Sequence, residues 1–250
     1  MSQLNHLPFS TLHFYLTAPY ACSYLPDTAA RSQVATPTNL ITRDIYSELV
    51  QQGFRRSGTY TYRPRCDSCQ ACQSIRIVAA EFLPSRSQRR AWQQHNGLQT
   101  SLHTLADKPE YYALYQRYQA ARHQHGGMDN DDHDAYEKFL LRSEVESFIV
   151  EFREPPAHPE AGMLRMISVI DLLADGLSSV YTFFEPDLAH SSFGVYNVLW
   201  QIDLCRQLKL DFVYLGYWIK DCQKMNYKTQ YQPAQVLHQG TWQPYAKDTV

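Results

Sequence analysis

The alternation of apolar and polar positions changes character several times along the chain, and each change marks an element. Residues 44–53, DIYSELVQQG, carry apolar side chains at helical spacing and stop at Gly53, the residue best suited to the left-handed position after a helix. GFRRSG and TYTYR read as turn and strand, and SIRIV as a buried strand. Ser85 and Gln88 make a capping box for the helix SRSQRRAWQQHN, which Gly97 closes. GLQTSLHTL then alternates as a strand does. A helix opens at Pro109 and Glu110 with Tyr111, Leu114, Tyr115 and Tyr118 along one stripe, and a second groups Tyr136, Phe139 and Leu140. Three strands follow, SFIVEFRE, MLRMISVIDLL and LSSVYTFFEP. A loop holding Pro155, Pro156 and Pro159 joins the first pair, and a two-residue Asp175-Gly176 turn joins the second. A long helix from about residue 192 to 208 leads into the buried strand FVYLGYW. The DNDDHD cluster at 129–134 reads as a solvated helix start, and no internal repeat is present.

These elements divide into a smaller α+β domain, residues 1–97, and a larger one, residues 98–250. A chain of 250 residues can bury two modest cores, and 44% hydrophobic with 19% charged residues is the balance of a folded protein. No segment approaches the roughly 18 apolar residues of a membrane span, and MSQLNHLPFSTLHFYLTAPY has no basic start before an unbroken apolar run. The expectation is a cytoplasmic chain with no membrane partner.

Charge changes this picture in one place. From Gly53 to Arg90 stand Arg55, Arg56, Arg63, Arg65, Arg76, Arg86, Arg89 and Arg90 against only Asp67 and Glu81, inside a chain of net charge −2. Arg86, Arg89 and Arg90 share one helical face, suited to phosphates or to solvent. The planar guanidinium grips carboxylate or phosphate through two parallel hydrogen bonds. Arg55 and Arg56 are adjacent on a strand, so at most one of them faces any given site. Tyrosine is abundant, 18 residues, and suits both a core and a stacking surface.

Cys66, Cys69 and Cys72 lie at three-residue intervals, and Cys22 in PYACSYLP is a fourth thiol that folding could bring to them. In a reducing compartment such a group is a ligand set for zinc or an iron–sulfur cluster, or else packed reduced thiols; three close cysteines plus a remote one lean towards the cluster.

The order strand, helix, helix, three antiparallel strands, helix, strand over residues 98–218 resembles the GNAT acyltransferase fold. Members of that fold use a glycine-rich loop at a helix N-terminus to hold the pyrophosphate of coenzyme A. The corresponding stretch AHSSFGVY has only Gly194, which implies an acyl donor other than coenzyme A.

GFRRSG, YRPRC-x2-C-x2-C-x3-RI, PSRSQRR, VYTFFEPD and YLGYWIKDCQKMNYK, with FYLTAPYACSYLP near the start, together resemble the bacterial aspartate/glutamate leucyltransferases, relatives of the arginyl-tRNA–protein transferases. The resemblance spans nearly the whole chain. It implies a GNAT-like enzyme that moves leucine from leucyl-tRNA to the α-amine of proteins beginning with Asp or Glu, marking them for degradation in the N-degron pathway. On this reading Arg55, Arg56 and Arg76 are candidates for the acceptor's carboxylate, and Asp171 for the donor's ammonium. Arg86, Arg89 and Arg90 are candidates for tRNA, and Tyr181, Tyr196, Lys224 and Tyr227 for placement of the reacting groups. Aminolysis of an activated ester requires no cofactor. In eukaryotic arginyltransferase relatives, cysteines in comparable regions are linked to iron–sulfur binding, in a different pairing. The competing readings are an arginyl donor, a coenzyme A-dependent N-acetyltransferase, and a metal-stabilised RNA-binding module.

Overall fold

The computed structural model describes residues 11–122, 132–188 and 191–246. The predicted N-terminal segment before Thr11, the first three residues of DNDDHD, and Ala189 and His190 of AHSSFGVY lie outside them.

The first part of the chain forms β1 (His13–Leu16), β2 (Tyr20–Ala21), β3 (Ala29–Ala30), β4 (Ser32–Thr36), helix α1 (Arg43–Gln51), β5 (Arg55–Ser57) and β6 (Tyr60–Pro64). These build a small antiparallel sheet in the order β1-β4-β6-β5, with β2 and β3 paired beside it. Thr42 caps α1 by accepting from the Ile45 amide. Beyond the helix, Gly53 takes φ +87°, and a Cβ there would meet Leu237 Cδ2 at 2.9 Å.

Next come β7 (Gln73–Val78), α2 (Arg86–His95), β8 (Gln99–Thr104), α3 (Pro109–Arg122) and the single turn α4 (His133–Tyr136), which continues as a π-helical turn over Glu137–Leu141. Strands β9 (Ser147–Arg153), β10 (Leu164–Leu172) and β11 (Gly176–Phe184), helix α5 (Phe193–Leu208) and β12 (Phe212–Trp218) follow. A 3-10 helix, Gln223–Gln230, and the hairpin β13 (Ala234–His238) and β14 (Thr241–Pro244) complete the fold. The large sheet runs β14-β13-β7-β12-β11-β10-β9-β8. The predicted capping box is present, with both the Ser85 and the Gln88 side chains engaged.

Two expectations change. The boundary at 97 and 98 does not follow the sheets, because β7 sits in the middle of the large sheet, between β12 and β13. A buried run such as SIRIV fixes that a strand has two covered faces, but not which sheet covers them. The hairpin loop is Ala174-Asp175, closed by Leu173 N donating to Gly176 O at 2.9 Å, so Gly176 opens β11. Its missing side chain serves strand contact instead: a Cβ there would lie 2.2 Å from Phe212 O.

Three apolar clusters bind the layers. Beneath α5, Ile75, Ile77, Phe152, Met166, Leu199, Ile202 and Val213 are buried together. Beneath α3, Tyr111, Leu114 and Tyr115 meet Ile149, Ile167 and Phe183 on the opposite face. The third joins α1 to the large sheet through Tyr46, Leu49, Leu173 and Tyr214. The small sheet is therefore docked on the large one through a dry contact, which holds β5 against the large sheet.

Candidate active site

The large sheet is split between β11 and β12. These parallel strands pair only over Gly176–Ser178 and Phe212–Tyr214, then separate. Each is bulged just beyond the pairing. On β11 the partners of Val169 and Ile170 are Tyr181 and Ser179, which leaves Val180 without a ladder partner on β10. On β12 the register against β7 slips between Tyr214 and Tyr217, where Gly216 adopts φ +75°. Two bulges thus face one another across an opening in the sheet.

Arg55 of β5 enters that opening. Its Nη2 donates to Val180 O at 3.4 Å, its guanidinium lies 5.9 Å from the Tyr217 ring, and a Cβ at position 216 would come within 3.3 Å of its Nη1. Tyr62, Tyr217, Tyr24 and Tyr46 are the groups around it that act on its charge. Among the described residues no carboxylate forms an ion pair with it.

Its neighbour Arg56 points the other way, as strand alternation requires, and is compensated. Nε lies 2.9 Å from both oxygens of Asp171, and Nη2 donates to Ser147 Oγ at 3.1 Å. Asp171 also accepts from Ser147 Oγ at 2.6 Å and from Tyr46 Oη at 3.1 Å. Both side chains are sealed, at 1% and 0% exposure. Burial, then the Asp171 carboxylate, pushes the Tyr46 hydroxyl far up. Arg56 and Asp171 therefore hold each other, and neither is free for the acceptor or for the donor's ammonium.

Arg76 is likewise committed. Its guanidinium is sandwiched between Phe212 at 3.6 Å and Trp242 at 4.2 Å, and it donates to Gln235 Oε1 at 2.8 Å and Tyr214 Oη at 2.9 Å, with Asp175 at 4.0 Å. It ties the β13–β14 hairpin to the closed end of the split and lies away from the opening. Of the three arginines singled out for the acceptor, Arg55 alone remains available.

The placement residues divide in the same way. Tyr196 is a buried core residue on α5 against Trp92, His95 and Phe152, and burial takes its hydroxyl to about 12. Tyr181 adjoins the β11 bulge but packs among Tyr115, Phe139 and Phe183, with Gln119 donating to its hydroxyl at 3.3 Å. Lys224 is exposed on the 3-10 helix. With three residues per turn, that helix turns Cys222, Met225 and Lys228 inwards and Lys224 and Tyr227 outwards. Although Tyr227 is 46% exposed, its hydroxyl end is crowded enough that desolvation raises it, and Tyr118 and Arg55 are near enough to act on it as well.

Lys228, which is not among the candidates read from the sequence, is 8% exposed and donates to Tyr217 O at 2.6 Å. Burial, then the Arg55 charge, lowers its ammonium to about 7, with Cys222 opposing. The three-residue spacing of Cys222, Met225 and Lys228 was the available signal.

The four cysteines converge next to this opening. Cys22 follows β2, and Cys66, Cys69 and Cys72 line the β6–β7 connection; all are reduced and half-buried. Burial takes the Cys72 thiol up to about 12, and Cys22, Cys66 and Cys69 add to the rise. Cys72 also acts on Tyr217 and Tyr24, two of the tyrosines around Arg55. A cavity of about 520 Å³ is lined by Cys66, Cys69 and Cys72 with Pro64 and His238. Thiols are the donor type that a thiophilic metal or cluster takes. Among the described residues no three of these sulfurs fall within 4.8 Å of one another, the spacing met only by Asp107, His133 and Glu137.

Arg86, Arg89 and Arg90 project from α2 into solvent; Arg89 Nη1 donates to Pro84 O at 2.6 Å. No helix among the described residues is long and apolar enough to cross a membrane.

The mixed sheet, with strands β8 to β12 and helices α3 and α5 in the expected order, is the GNAT-like arrangement the resemblance implied. Family models for the arginine-tRNA-protein transferase match the chain in both its N-terminal part, residues 20–90, and its C-terminal part, residues 110–238. An aspartate/glutamate leucyltransferase of Nitrosospira multiformis is 56% identical over 97% of this chain and 94% of its own. That of Chromobacterium violaceum is 53% identical over 94% of each, and that of Marinobacter nauticus 41% identical over 95% and 98%. The fold and site define a transferase of the aminoacyl-tRNA–protein class, and the chain belongs to the aspartate/glutamate leucyltransferase family.

Proposed function

We propose that this enzyme transfers leucine from leucyl-tRNA to the α-amine of proteins beginning with Asp or Glu, and that Arg55 holds the acceptor's side-chain carboxylate. One observation carries the assignment: Arg55 is a cation inside the sheet opening that no acid among the described residues pairs with, whereas Arg56 and Arg76 are fully engaged. An acidic side chain differs from its amide chiefly in charge, so selection needs a cation whose desolvation only the carboxylate offsets. The Val180 carbonyl and the Tyr217 ring already position the guanidinium, so little reorganisation accompanies binding.

The exposed α2 arginines supply dispersed charge for the tRNA. The single Gly194 at the start of α5 supports a donor other than coenzyme A. Cys22, Cys66, Cys69 and Cys72 would hold a zinc ion or an iron–sulfur cluster that ties the β6–β7 connection beside the site, without entering the transfer step. The setting is cytoplasmic, where aminoacyl-tRNA is made, and the product is a substrate for N-degron proteolysis.

The test supplies purified enzyme with labelled leucyl-tRNA or arginyl-tRNA and peptides that differ only in residue one. Leucine should reach the Asp and Glu peptides and bypass Asn and Gln, and Arg55→Gln should erase that preference while leaving tRNA binding intact. Transfer from arginyl-tRNA alone, or protection against thermal unfolding by acetyl-coenzyme A, would reject the assignment of donor.

A further inference from the structure

We propose that Lys228 is the general base of the transfer, taking a proton from the acceptor's α-ammonium once Arg55 has bound the neighbouring carboxylate; this rests on the reading of Arg55 given above. Lys228 stands where such a base must stand. Its Nζ is anchored to the Tyr217 carbonyl at 2.6 Å, just beyond the bulge that admits Arg55. That single hydrogen bond orients the amine and leaves its lone pair free. The groups facing it are Arg55 from β5, Tyr217 from β12, Cys222, and Tyr227 on its own helix with the ring centre at 6.0 Å. None is a carboxylate, and among the described residues no acid forms an ion pair with it.

A lysine that only pinned the 3-10 helix to β12 would gain from a nearby acid and lose from a nearby guanidinium. This one has the reverse surroundings. Burial, then the charge of the nearby Arg55, lowers the ammonium to about 7, so a large share of the amine is neutral near physiological pH. In an N-terminal Asp the carboxylate carbon and the α-nitrogen are three bonds apart, about 4 Å, so a side chain held by Arg55 brings its ammonium towards Lys228.

The proton count closes. One proton of the α-ammonium, whose pKa is about 8, passes to Nζ and later to water. The neutral nitrogen forms a bond to the leucyl carbonyl carbon, and its second proton ends on the terminal ribose oxygen as the ester C–O bond breaks. The products are the amide and free tRNA. Transfer between groups of nearly matched pKa is the regime in which a positioned base is most effective.

The experiment is single-turnover transfer with preloaded leucyl-tRNA, comparing wild type, Lys228→Met and Lys228→Arg over pH 5.5 to 9.5. In wild type, kcat/KM for an Asp peptide should rise through a limb near 7, the free enzyme's own titration. Lys228→Met should lower kcat by about 10²- to 10⁴-fold with little change in KM, lose that limb, and follow only the peptide's amine. Small primary amines should restore part of the rate. A peptide analogue bearing an α-hydrazino group, neutral at pH 7, should lose far less than the ordinary peptide. A limb near 7 that survives in Lys228→Met, or full activity in Lys228→Arg, would overturn the base and leave Lys228 as a pin. If either variant fails to fold, the wild-type limb and its absence with the hydrazino peptide decide the matter. Loss of Asp selectivity in Arg55→Gln is read separately, so failure of the site and failure of the base are distinguishable.

Discussion

Arg56 and Arg55 are consecutive residues on one strand, yet they meet opposite fates inside the sheet. Arg56 lies in a sealed cluster with Asp171, Ser147 and Tyr46, where the charges and donors match. Arg55, together with Lys228, lies at the split between β11 and β12, where cation meets cation and carbonyl and no acid among the described residues pairs with either. The closed cluster joins the small sheet to β10 and is a device of cohesion. The open one carries in Lys228 a charge that costs the folded state, and in Arg55 a guanidinium left for an anion to answer. Buried charge is thus informative by its bookkeeping of partners, not by its presence.

The largest expected effects on stability separate the two regions by sign. Asp171→Ala leaves Arg56 buried without a counter-ion and should destabilise the fold by about 3–5 kcal/mol in urea unfolding. Lys228→Met should do the opposite. A folded-state pKa lowered from 10.5 to about 7 means that the unfolded chain binds the proton more readily, so stability rises with pH between those values. The penalty, on the order of 5 kcal/mol before the lost hydrogen bond is counted, is fully present below pH 7. The variant should therefore be stabilised more at pH 6 than at pH 9. Equal melts at the two pH values would remove Lys228 from the open region.

Next in size, Arg55→Gln should cost about 2 kcal/mol or more in kcat/KM for an Asp peptide relative to an Asn peptide, with unfolding nearly unchanged. Arg76→Gln should show the converse, a weaker fold and intact acceptor preference, since its stacking partners Phe212 and Trp242 lose a cation worth about 1–2 kcal/mol. An acceptor effect at Arg76 would redraw the boundary between the regions. Smallest, each charge removed from Arg86, Arg89 or Arg90 should lower the slope of log affinity for tRNA against log salt by about one. Binding that is blind to all three would assign that face of α2 to solvent.

Much of the closed architecture could be read from local pattern. Ser85 and Gln88 announced α2, and the runs that became β9, β10, β11 and β12 were apparent because burial on both faces leaves continuous apolar stretches. The alternation rule also required that Arg55 and Arg56 diverge. Which of them met an acid was not legible, because Asp171 lies 115 residues from Arg56 and only folding brings them together. Asp171 read as a site residue for the same reason: an acid in an apolar strand demands a partner, and sequence cannot say whether that partner is protein or substrate. Lys228 was not legible, because the inward face of a 3-10 helix of eight residues leaves too short a pattern of three-residue spacing to mark it. The metal-ligand reading of the cysteines remains a proposal, since no three of their sulfurs among the described residues lie within 4.8 Å of one another; analysis of bound iron and zinc is its direct check.

The bulge at Val180 has a consequence for how this site could change over generations. What meets the guanidinium of Arg55 there is a main-chain carbonyl, freed because β11 holds one residue more than β10 can pair. Point substitutions leave that oxygen in place whatever the side chain. A one-residue deletion would restore the ladder, withdraw the carbonyl and reverse the faces of the residues beyond it. The binding determinant is therefore encoded as a count of residues, so a lineage could lose it at a stroke through a three-nucleotide deletion while drifting freely in the identity of residue 180.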